Sequence, residues 1–166
     1  MPTQPNHIGP QQNRQIDRRS FMPLHLGWAT VYRGASLIAL GQRQEGLSLI
    51  IRGRAEIRTT GAVTGTPDLL MMLAGAYARL GKPVDGLNCL AEAAQIIETT
   101  DERCYEAELH RLRGDLVNAT GDPSAAERSY HQALAVAKLQ TAKLLELRAS
   151  LSLAPLVQTG QTRRSP

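Results

Sequence analysis

YEAELHRLRGDLVNATGDPSAAERSYHQALAVA, from Tyr105 to Ala137, reads as two amphipathic helices folded back on each other at Gly121. Forty residues before Gly121 stands Gly81, and forty before that stands Gly41. The neighbours keep the same step. Seven residues before each glycine are Gly34, Ala74 and Gly114, and five after are Gly46, Gly86 and Ala126. Nine after come the bulky Ile50, Leu90 and Tyr130, and twelve after come Gly53, Ala93 and Ala133. A ladder of small, small, bulky and small positions, kept three times, is an internal repeat.

Close helix packing explains the ladder. Two helices approach to about 8–10 Å only where the facing side chains are small enough to let the backbones near each other. The small residue of a first helix (A) receives the bulky residue of its partner (B), and the small residues of B admit the next neighbour. This spacing resembles the tetratricopeptide repeat, with Ala126, Tyr130 and Ala133 matching its second helix and Gly114 its first. The period of 40 departs from the usual length of about 34, and Thr30, Leu70 and His110 stand where an early aromatic is expected. Longer-period repeats of this kind resemble the C-terminal halves of bacterial STAND-type ATPase, adenylate cyclase-linked and LuxR-type regulators, and DERCYEAELHRLRGDL carries that likeness most strongly. The resemblance spans roughly residues 24–154 and implies an all-α, right-handed solenoid of antiparallel helix hairpins, with three pairs and a partial fourth.

The apolar periodicity places helices at Pro23–Leu40, Gln42–Ile57, Asp68–Leu80, from Pro83, from about Asp101, from Pro123, and at Ala142–Ala154. Thr66-Pro67 and Asp122-Pro123 read as a capping side chain followed by a first-turn proline, and Thr100 or Asp101 as the cap of the third A helix. Glycines 41, 81 and 121 supply the backbone freedom that ends each A helix. Pro155 is expected to break the last helix. That helix lacks a B partner and carries Leu144, Leu145, Leu147, Leu151 and Leu153 on more than one face, which suits either a missing neighbour or a homo-oligomer formed through it.

Length and composition fit one helical domain at 21–157, between a basic, disordered leader (1–20) and a short disordered tail (158–166). Aromatic residues are only 4% of the chain, which favours Ala- and Leu-rich helices over a β-sandwich. The net charge of +4 sits in the ends: residues 1–20 and the pair Arg163–Arg164 carry +2 each, leaving 14 basic and 14 acidic residues between. A neutral body offers no phosphate-neutralising patch, so no nucleic-acid partner is expected. No run of 18 apolar residues suggests a membrane span, no signal-peptide core precedes the domain, and Cys89 and Cys104 have no metal or redox spacing. The chain is expected in the cytoplasm, without cofactor or metal.

Catalytic signatures are equally absent. Gly81-Lys82 lacks a glycine-rich lead and meets a proline, so it is no phosphate loop. His110 lies four residues after Glu106, a spacing that reads as a helix-surface ion pair rather than a general base. Binding is the better expectation. In the repeats that this chain resembles, the second, fifth, ninth and twelfth positions of each A helix line a groove. On this sequence these are Trp28, Val31, Ala35 and Ile38; Asp68, Met71, Gly75 and Ala78; and Glu108, Arg111, Asp115 and Asn118, with Arg79 beside them. The function expected is a non-catalytic protein- or peptide-binding scaffold, the sensor segment of such a regulator. The alternatives are a stand-alone peptide-binding adaptor, or part of a cyclase or ATPase polypeptide whose catalytic domain lies elsewhere.

Overall fold

The computed structural model describes residues 18–162, so residues 1–17 of the expected leader and 163–166 of the expected tail lie outside it. Seven α-helices are formed: α1 (Arg18–Ala39), α2 (Arg43–Thr59), α3 (Thr66–Arg79), α4 (Pro83–Thr100), α5 (Glu106–Ala119), α6 (Pro123–Leu139) and α7 (Lys143–Thr162). A single 3-10 turn, Arg103–Tyr105, leads into α5, and among the described residues there is no strand. The protein is all-α. Packing is densest within α1·α2, α3·α4 and α5·α6, while α7 lies on α6; the odd-numbered helices also touch in succession, α1 with α3, α3 with α5 and α5 with α7.

Every ladder residue named above is buried. A Cβ built on Gly34 would lie 2.6 Å from the Gly46 carbonyl oxygen, and one on Gly46 would lie 2.5 Å from the Gly34 oxygen. Gly27 and Gly53 make a second reciprocal contact: a Cβ on Gly53 would stand 2.6 Å from the Gly27 oxygen. The first hairpin therefore closes as a four-glycine seam, with Ile50 fully buried between its backbones. In the third hairpin the Tyr130 ring occupies the space that a Cβ on Gly114 would need. A further rung, absent from the sequence reading, joins the others at the same step: Gly27, Pro67 and Ala107 are all buried.

The turns repeat as regularly. Gly41, Gly81 and Gly121 have φ of 89°, 70° and 93°. The residue after each donates its N–H five residues back, Gln42 to Leu37, Lys82 to Tyr77 and Asp122 to Val117, the bond that closes a left-handed helix end. The alternate junctions also turn through the left-handed region, at Gly61 (71°), Asp101 (58°) and Thr141 (54°).

Several local expectations are corrected. Asp101 does not cap α5; it is the left-handed residue that ends α4, donating its N–H to the Ile97 carbonyl at 2.9 Å. Thr66 does not cap α3 either. Gly65 holds that position, and the Thr66 hydroxyl donates to the Val63 carbonyl instead. Asp122 does cap α6, its Oδ1 accepting the Ala125 N–H at 2.9 Å. α1 begins at Arg18, ahead of Pro23, and α7 continues through Pro155 to Thr162. A proline removes one i→i−4 bond. Leu153 and Leu156, on either side of Pro155, are held in a small core with Ala126, Tyr130 and Leu134, which carries the helix past that loss.

The main core runs from α1 to α5, with Val31, Ile50, Leu69, Leu70, Leu90 and Leu116 at its centre. The far face of α7 is uncovered: Leu144, Leu147 and Leu151 stand 69%, 56% and 64% exposed.

Candidate functional site

Residues on α3 at 68, 72, 75 and 79 fall on one stripe of a 3.6-residue helix, with 71 and 78 at its edge. Residues 108, 111, 112 and 115 of α5 form the same stripe forty positions on. The two stripes face a common cleft of about 630 Å³, whose lining includes Asp68, Met71, Met72, Gly75, Ala78, Arg79, Glu108, Arg111, Leu112 and Asp115, with Arg148 of α7 closing one side. Asp68, Glu108 and Arg148 occupy equivalent positions on α3, α5 and α7. Three carboxylates and three guanidiniums share this lining, so its charge balances.

Arg111 is the hub. Its Nε and Nη2 donate to the two oxygens of Glu108 at 3.0 and 2.8 Å, a bidentate fork. Nη1 donates to Asp115 Oδ2 at 2.6 Å and to Ser152 Oγ of α7 at 3.3 Å. Arg148 adds a second cation to Glu108 at 2.9 Å, and the Tyr130 hydroxyl, reaching from α6, donates to Asp115 Oδ1 at 2.8 Å. The Arg111 side chain is only 11% exposed. Burial opposes its charge, but the hydrogen bonds and attraction of Glu108 and Asp115 outweigh that and hold the guanidinium above its ordinary pKa. Burial and then the bond to Asp115 likewise push the Tyr130 phenol up. This network ties α5, α6 and α7 into one wall.

Two charged groups of the cleft stand outside the network. Asp68 is half-buried and has no ion pair or hydrogen bond with the described residues; burial first, and then the nearby Glu108 charge, raise its pKa. Arg79, eleven residues along the same helix, is exposed and also unpaired among the described residues.

The groove positions read from the sequence divide. Met71, Arg79, Glu108, Arg111 and Asp115 meet in the cleft. Val31 does not: it is fully buried, packed where a Cβ on Gly53 would strike it. Trp28 stacks on Tyr32 at 5.8 Å and shields the turn at Gly65, and Asn118 is exposed outside the cleft lining. Arg148, Ser152 and Tyr130 were missed. The forty-residue step from Glu108 would have reached Arg148, whereas nothing in the local pattern links Tyr130 to Asp115.

The expected His110–Glu106 ion pair is not formed. Glu106 faces Arg103 at 3.5 Å, and His110 turns inward, its Nδ1 buried without a hydrogen-bond partner. Burial lowers its pKa against the attraction of Glu106. Cys89 is buried and Cys104 exposed, both as free thiols. Among the described residues no helix is long and apolar enough to cross a membrane.

No protein-family model, curated protein or solved structure matches the chain.

Proposed function

We propose that this chain is a non-catalytic protein-interaction scaffold, a right-handed solenoid of tetratricopeptide-like hairpins that binds a polypeptide in the cleft between α3 and α5. The observation that carries the reading is the cleft itself, about 630 Å³ and lined by repeat-equivalent stripes of successive A helices. Its volume lies within the range of ordinary ligand clefts, about 300–1,000 Å³, enough for a few side chains of an extended segment. Its walls are two helices, one with an apolar centre between Asp68 and Arg79 and one held by the Arg111 network, so the site is largely preorganised and less ordering entropy opposes binding. The likeness of the repeat to the C-terminal part of bacterial ATPase-type regulators supports a sensing or scaffolding role in signalling, in the cytoplasm. The bare leucines of α7 support contact with a further helix, from a second copy of the chain or from a larger assembly.

A photo-crosslinking residue placed at Ala78, inside the cleft, and at Gln95, exposed on α4, tests the assignment. In cells, position 78 is expected to yield discrete polypeptide adducts and position 95 none. Equal labelling at both positions, or none at 78, would remove the cleft from consideration.

A further inference from the structure

Gly75 has no packing reason to be glycine. The other helical glycines described, at positions 27, 34, 46, 53, 86 and 114, each face a neighbour within 3.2 Å of where a Cβ would sit. A Cβ on Gly75 meets nothing within 4 Å. Glycine in a helix interior is less favourable than alanine, so the structure carries a local cost here with no return inside the fold. The open space above Gly75 is the cleft. A glycine of this kind lets another backbone come close.

Asp68 and Arg79 flank that gap on the same stripe. Eleven residues at 1.5 Å each set them about 16 Å apart along α3. Four steps of an extended chain, at 3.3–3.6 Å each, cover about 13–14 Å and bring the side chain back to the same face, and the length of a lysine and a glutamate side chain closes the remainder. Between the two charges lies Met72, a partly buried, flexible apolar side chain of the kind that adapts to different partners, packed against the core to which Met71 belongs. The charges on the opposite wall are committed to one another through Arg111, which leaves Asp68 and Arg79 as the groups with electrostatic capacity to spare.

We propose that the cleft selects an extended peptide segment with a cationic side chain at Asp68, a carboxylate about four residues away at Arg79, and its main chain crossing Gly75. This rests on the scaffold reading above and goes further by naming the chemistry of the partner.

The test uses the full chain and end-blocked peptide mixtures Lys-X-X-X-Glu, Gln-X-X-X-Glu, Lys-X-X-X-Gln and Gln-X-X-X-Gln, fluorescently labelled and titrated by anisotropy. The doubly charged mixture is expected to bind at least tenfold tighter than the neutral one. Asp68→Asn removes the advantage of lysine alone, and Arg79→Gln the advantage of glutamate alone. Gly75→Leu abolishes binding while helix content and melting temperature are retained or rise, since the new side chain enters open space. Equal affinity for charged and neutral mixtures, binding that survives Gly75→Leu, or no binding by any mixture overturns the proposal. The scaffold reading fails separately, by the absence of adducts from position 78.

Discussion

Arg111 shows how a residue that looks like a binding contact serves the fold. It reads as one member of a helix-surface charge pattern, Glu108–Arg111–Asp115, whose pairs would each contribute a few tenths of a kcal/mol in solvent. In the structure the guanidinium is nearly enclosed and spends its donors on two carboxylates and a serine. Removing one partner of such a pair costs more than the pair contributes net, because the other charge, here chiefly Glu108 at 16% exposed, stays behind with little water to replace its partner. Glu108 would keep Arg148, and Asp115 would keep the Tyr130 hydroxyl. Arg111→Ala is therefore expected to cost about 3 kcal/mol, at the low end for a broken buried pair. Urea denaturation followed by helical circular dichroism measures this directly, and a loss below about 0.5 kcal/mol, the range of ordinary surface changes, would mean the residue is solvated after all. His110 gives a second expectation at this scale. Its folded pKa lies below the ordinary 6.5, chiefly because burial disfavours the charge. The unfolded chain then binds a proton that the folded chain resists. Its stability contribution is complete above the unfolded pKa and is lost as pH falls towards the folded value. Melting temperatures taken from pH 7 down to 5 should fall, and His110→Phe should flatten the decline; an unchanged slope would rule His110 out as its source.

Two glycines on helices test what the seam between α1 and α2 requires. Gly34→Ala would set a methyl 2.6 Å from the Gly46 carbonyl oxygen, against backbone that cannot swing aside. Overpacking of this kind costs about 1–3 kcal/mol, which outweighs the roughly 1 kcal/mol that alanine gains in helix propensity. Gly75→Ala meets no neighbour and should stabilise by about 0.5–1 kcal/mol. The paired urea midpoints should move in opposite directions, and a shared direction would mean the hairpin is looser than the contacts indicate. This seam was legible from the sequence because close approach leaves small residues at fixed intervals, and the cleft positions on α3 and α5 came from the groove positions of the repeats that this chain resembles. The rest was hidden for physical reasons. Asp101 and Thr141 adopt left-handed backbone where local preference is weak, so tertiary packing decides. Val31 obeys the groove spacing, but α1 presents that face to Gly53 and closes over it. Tyr130 reaches Asp115 across fifteen residues of chain, a distance at which no helical pattern speaks.

Across the whole molecule, cohesion is graded. Helices hold each other more extensively within a hairpin than between hairpins. Arg54 donates to both oxygens of Glu92, at 2.6 and 2.9 Å, and joins the first two hairpins at their surface, while the Gln140 side chain donates to the Arg103 carbonyl at 2.7 Å and ties the end of α6 to the turn before α5. The main core ends at α5, and α7 rests on a small cluster around Tyr130 with its leucines bare. Native-state amide exchange should therefore be slowest in α3 and α4 and fastest in α7, where opening exposes least buried surface. Uniform protection from α1 to α7 would instead indicate a single cooperative unit.

Gly65 aside, the left-handed residues described, at 41, 61, 81, 101, 121 and 141, mark a beat of twenty along the chain. A helix that starts after any of them meets the same phase of small and large faces as one starting forty residues away. Residues 62–101 thus form an interchangeable cassette: excised, they would bring α5 to follow α2 with turn and seam still in step, whereas a cut that is not a whole multiple of forty would put the later small and bulky positions out of step with those before it. The protein has the syntax of something that grows or shrinks by whole phrases, and under the proposed reading of the cleft, exchanging the phrase that carries Asp68, Gly75 and Arg79 would change the partner.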